Sequence, residues 1–129
     1  MTEVAGFEGP DCKIPDFETW VALLLAGGGA VTAHAVLLAD GDAGFQPVCG
    51  TWMDLSGATE WGEMVILFAG AGLPWDAVAF FPAGSVLDNP VALRRMQALE
   101  ADLDAEPRLL GSADVFWPDG RLVPADRLG

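Results

Sequence analysis

The residues of this 129-residue chain with the least ordinary chemistry are one histidine, His34, and two cysteines, Cys12 and Cys49. A thiol beside an imidazole can be held as a thiolate, the nucleophilic form of cysteine. His34 and Cys49 flank Asp40-Gly41-Asp42-Ala43-Gly44, which is composed almost entirely of turn-forming residues. If that turn closes a regular hairpin, residues near 34–36 face residues near 49–51. His34 and Cys49 then become diagonal neighbours on one sheet face. A slip of one residue would put them on opposite faces. No second orienting group and no helix start lies near the pair. The competing reading is a small buried hydrophobe and a hydrogen-bonded core histidine.

Other chemistries fail on spacing. A structural Cys/His zinc site takes four ligands, and the chain offers three such residues with no CxxC pair. In a calcium loop, the fifth position carries an oxygen ligand and the twelfth a Glu; counted from Asp40, those places hold Gly44 and Thr51. Glu60 and Glu63 share a side of a helix, but no Glu-x-x-His partner exists, and a first-turn pair near the positive helix end accounts for them. Gly27-Gly28-Gly29 follows a helix and precedes a strand, the reverse of a phosphate loop. No metal and no cofactor is expected.

Five tryptophans stand beside no tyrosine. Trp20 and Trp61 fall on helical core stripes. Trp52, Trp75 and Trp117 fall next to turns. An aromatic ring next to an acid suits a protein interface or a cation-binding pocket. Trp52 with Asp54, and Trp75 with Asp76, are therefore the candidate binding residues. Against this stands the plainer reading of half-buried core aromatics at strand ends.

The elements that must position these residues follow from periodicity. Asp16 caps a helix running to about residue 26, with Phe17, Trp20, Val21, Leu24 and Leu25 on one face. The glycine triplet ends it. Residues 30–39 read as a strand, and 45–53 as its return; Pro47 marks the second strand as an edge. A helix over 58–69, capped by Asp54 or Ser56, carries Trp61, Met64, Val65 and Phe68. Residues 77–81 form a short apolar run, as in a central strand covered on both faces. Asp88-Asn89-Pro90 starts a helix that ends before Pro107. Residues 113–123 read as a hairpin turning at 117–121. Residues 1–15 are an arm, 16–124 one domain and 125–129 a tail. The expected fold is α+β, a mixed sheet packed by about three helices in the order α-β-β-α-β-α-β-β.

Hydrophobic residues make up 52% of the chain and the net charge is -13, from 19 acids and 6 bases. The first figure excludes disorder. The second argues against nucleic acid and anionic membrane surfaces as direct ligands, and solubility of an apolar, glycine-rich chain is the plainer reading of it. Residues 1–90 hold twelve acids and one base, Lys13; residues 91–129 hold seven acids and five Arg. Residues 20–39 are apolar enough to span a bilayer, but the central glycines and acidic flanks argue against it. The acidic N-terminus is unlike a signal peptide, and a cytoplasmic location is expected. In the third helix, pairing of Arg95 with the neighbourhood of Glu100 is expected to neutralise charge. The leading functional reading is an acidic accessory or protein-binding module, such as an adaptor, inhibitor or immunity-like protein. It would engage a basic protein surface or self-associate as a homodimer. The alternative is a small enzyme or ligand-binding domain using His34 and Cys49 beneath a tryptophan-walled pocket.

Overall fold

The longest apolar stretch does not become one element. Its first part is helix α1 (Asp16–Leu24), its last part is strand β1 (Val31–Gly41), and Gly27-Gly28-Gly29 lies exposed between them. Glycine makes helix continuation costly at this point. The computed structural model describes residues 16–42 and 44–124, so the arm at 1–15 and the tail at 125–129 lie outside the described residues. The remaining elements are β2 (Gly44–Leu55), α2 (Trp61–Ala69), β3 (Ala77–Pro82), α3 (Asn89–Ala105), a 3-10 segment (Pro107–Ser112) and β4 (Asp114–Phe116). Among the described residues, no helix is long and apolar enough to cross a membrane.

The four strands form one α+β sheet in the order β2-β1-β3-β4. Every adjacent pair is antiparallel, so the sheet is not mixed. Two connections explain this. β2 and β3 run in the same direction across α2, but β1 lies between them and they never pair. After α3, the 3-10 segment leads into β4 beside the middle of β3, where Asp114 stands opposite Phe80. The expected last hairpin is reduced to this short strand and a single bridge between Phe116 and Leu122. Its turn is present: Trp117 N–H donates to Arg121 O at 2.9 Å and Gly120 N–H to Trp117 O at 2.9 Å.

The inner strands β1 and β3 are buried on both faces, and β2 is an edge strand, as Pro47 requires. One face packs against α1 and α2 through Phe17, Val21, Trp61, Met64 and Phe68. The other packs against α3 and the 3-10 segment through Met96, Leu103 and Leu110. Helix starts are fixed by side chains. Glu63 accepts the Glu60 N–H at 3.0 Å, half of a capping box. Glu18 of α1 accepts the Trp61 N–H at 3.0 Å, placing its carboxylate at the positive end of α2. α2 therefore starts at Trp61, later than Asp54 or Ser56 would set it. Ser56 instead belongs to a turn, its N–H donating to Thr59 Oγ1 at 2.9 Å.

Candidate functional site

A β-bulge decides the fate of the histidine–cysteine pair. Near the hairpin turn the register is regular, with Asp40 opposite Phe45 and Leu38 opposite Pro47. It then shifts by one: Leu37 stands opposite Cys49 and His34 opposite Trp52. The extra residue is Val48. A bulge inserts one unpaired residue and turns every following side chain to the other face. Pro47, which has no N–H for the ladder, sits beside it. His34 and Cys49 are consequently not brought together. His34 faces α3, buried to 4% exposure, and its Nε2 lies 2.9 Å from the Ala92 carbonyl oxygen. The carbonyl can only accept, so Nε2 carries the proton. Cys49 packs against the core on the opposite face.

Cys49 is a free thiol. Burial pushes it above its ordinary range, and the Glu100 carboxylate adds to the push. Both effects disfavour the thiolate, the opposite of what a nucleophile needs.

The tryptophan–acid pairs do not form one surface. Trp52 is half-buried beside the His34 ring on the α3 face, with ring centroids 6.2 Å apart. Trp75 is half-buried on the other face, edge-on to Phe68 at 5.4 Å. Their acids have structural partners. Asp54 accepts the Thr32 hydroxyl at 2.7 Å, and Asp76 accepts the Asp40 N–H at 2.8 Å. Trp117 packs on Phe45 with centroids 5.7 Å apart. All three rings are half-buried; Trp75 and Trp117 lie beside strand ends, whereas Trp52 lies within β2 opposite His34.

The feature that the sequence reading passed over is a cleft of about 580 Å³ between the start of β2 and the C-terminal half of α3. Its apolar lining includes Val36, Phe45, Val48 and Leu103, and its charged lining is Glu100 and Asp104. Gly50 explains why the cleft opens where it does. A Cβ there would meet Met96 Cε at 2.5 Å, so the absence of a side chain lets α3 press onto β2 at that level. One turn further along α3, at Glu100, the helix borders open space instead. Glu100 and Asp104 are four residues apart, so they lie on the same helix face. That spacing, with Leu103 between them, is the sequence signal that could have identified the site.

Among the described residues, nothing basic stands at ion-pair distance from Glu100 or Asp104. Among the described residues, Arg108–Glu106 and Arg121–Asp119 are the ion pairs, at 3.0 and 2.8 Å. The expected neutralisation within α3 does not occur, because Arg94 and Arg95 have no acid three or four positions onward: Gln97, Ala98 and Leu99 stand there. Asp40, Asp42 and Asp76 gather at the same end of the sheet as the cleft, through the turn beside Phe45 and the Asp76–Asp40 hydrogen bond. Among the described residues, no three His, Cys, Asp or Glu side chains converge as a metal site would require. No protein-family model, curated protein or solved structure matches the chain.

Proposed function

We propose that the protein is a small acidic binding module that engages a basic protein surface. One observation carries the reading: the exposed carboxylates of Asp42, Asp76, Glu100 and Asp104 collect at one end of the sheet, and the ion pairs among the described residues, Arg108–Glu106 and Arg121–Asp119, involve none of these four. Such a surface attracts cationic partners and repels anionic ones. The enzyme alternative loses the His34–Cys49 contact on which it depended. A cytoplasmic location belongs to the same proposal, supported by the unpaired Cys49 thiol.

Affinity capture from the native host at low and high ionic strength tests it. The expected result is recovery of a protein with a basic surface, lost at high salt because screening shortens the reach of surface charge. Recovery of no basic protein at low salt would sink the reading. Light scattering on the purified chain tests the homodimer expectation.

A further inference from the structure

Helix α3 divides its charge along its length. Its first half carries Arg94 and Arg95, and its second half carries Glu100, Asp102 and Asp104, all five exposed. Neither Arg95 nor Asp102 takes part in an ion pair among the described residues. The helix packs on the sheet through Ala92, Met96 and Leu103. At about 3.6 residues per turn, the side turned away from the sheet presents Arg94, Ala98, Ala101 and Ala105, all exposed. Those positions follow one another at intervals of four, three and four residues, the spacing of a seam between paired helices. Arg95 and Asp102 are seven residues apart, two turns, and so border this side along one flank.

We propose that two copies of the chain pair through α3, antiparallel, with Arg95 of each copy against Asp102 of the other. Charge complementarity selects both the occupant and the direction. A two-fold axis across the seam satisfies both Arg95–Asp102 contacts at once, as an isologous interface requires. The same register sets Gln97 against Glu100 on the other flank, so no acid meets an acid. A parallel pair would face each flank with the opposite one at the same level, setting Asp102 against Glu100 and Asp104 and leaving Arg95 beside Gln97. Alanines along the seam let the two helices come close. The net charge of -13 does not forbid the contact. Within α3 two bases stand against three acids, so this face is far less one-sided than the chain as a whole. At physiological ionic strength, exposed charges more than about 8 Å apart are largely screened. The pairing goes beyond the binding-module reading and does not rest on it.

Sedimentation of the full chain at about 0.15 M salt tests it, across chain concentrations from about 1 μM to about 300 μM. One helix pair lies at the small, transient end of protein interfaces, so the parent should be monomeric at the low end and mainly dimeric at the high end. Arg95→Glu and Asp102→Arg each set like charges across the pair and should weaken dimerisation about tenfold or more. Mixed in equal amounts, these two variants should pair with each other, because one carries acids at both positions and the other bases at both. The exchange Arg95→Glu/Asp102→Arg within one chain should restore the parent dimer. Ala98→Glu, beside the two-fold axis, sets two carboxylates face to face and should remove it. All three positions are exposed, so circular dichroism and melting should match the parent and establish that each variant is folded.

A parent chain that stays monomeric at the highest concentration would overturn the pairing. A dimer that either charge reversal leaves unchanged would overturn it too, as would a mixture of the two variants that pairs no better than each alone. Failure of the exchange within one chain to restore the dimer would overturn the antiparallel register. The two proposals fail separately. A monomeric chain that captures a basic protein from the host leaves the module reading standing, and a dimer that captures none leaves the pairing standing.

Discussion

The two faces of the sheet are packed by different means. On the α1/α2 face, Phe17, Phe68, Phe80 and Phe116 are fully buried or nearly so, and their rings meet one another and Trp20 and Trp61 at centroid distances between 5.0 and 6.4 Å. Both tryptophan N–H groups are used: Trp20 donates to Asp114 at 3.0 Å and Trp61 to the Pro118 carbonyl at 2.9 Å. On the α3 face the strands contribute Ala77, Ala79, Val36 and Val115, and the helix adds Met96 and Leu103. Small residues on a sheet let a helix lie close but leave a gap wherever it diverges. The first face is a sealed scaffold; the second has room at its edge for something else.

The largest expected effect is on the sealed face. Phe80 meets the rings of Phe17, Trp20, Phe68 and Phe116. Phe80→Ala removes the ring they share, and the neighbours cannot all collapse into the gap. A loss of about 3–5 kcal/mol is expected in denaturant unfolding. Leu103→Ala on the α3 face should cost less, about 2–3 kcal/mol, because Leu103 already borders a cleft and the space it leaves merges with solvent. Equal losses would break the contrast between the faces.

Much of this contrast was legible in the sequence, and its limits have physical causes. Asp88-Asn89-Pro90 marked the start of α3, Pro47 marked the edge strand, and the run at 77–81 marked a strand buried on both sides. These are local backbone constraints, which a sequence carries directly. The register of the first hairpin was not legible, because one bulged residue, Val48, changes it and many sequences tolerate that insertion. The antiparallel course of β4 was not legible either, since it depends on where a 3-10 segment turns the chain. The cleft is harder still: it is a gap between two elements, and Gly50 and Glu100 lie far apart in sequence. Only the four-residue spacing of Glu100 and Asp104 hinted at it.

The next prediction sharpens the contrast at Gly50, the point where α3 and β2 touch. Gly50→Ala introduces a Cβ against the flexible end of Met96. Met96 can swing aside, so a loss of about 1 kcal/mol is expected, at the low end of overpacking costs. An unchanged unfolding midpoint would mean that α3 does not press onto β2 at Gly50.

The smallest effect concerns the turn that ties the faces together. Trp117 packs on Phe45 on the α3 side, while the Pro118 and Gly120 carbonyls accept Trp61 Nε1–H and Phe17 N–H on the other. Asp119 clasps this turn by accepting the Arg121 N–H at 3.1 Å and Nε–H at 2.8 Å. Those contacts, the backbone N–H first, hold its carboxyl below the ordinary range. A carboxyl with a lowered folded value stabilises the protein above its unfolded value, near 4, and loses that contribution as pH falls through the folded value. The group is well exposed, so about 0.5 kcal/mol or less is at stake. Asp119→Asn should melt slightly below the parent chain at pH 7, and the gap should close in acid, once pH has fallen through the lowered folded value and the parent carboxyl is protonated. A gap that persists in acid would assign the loss to the backbone of the turn, and the link between the faces would not depend on this charge.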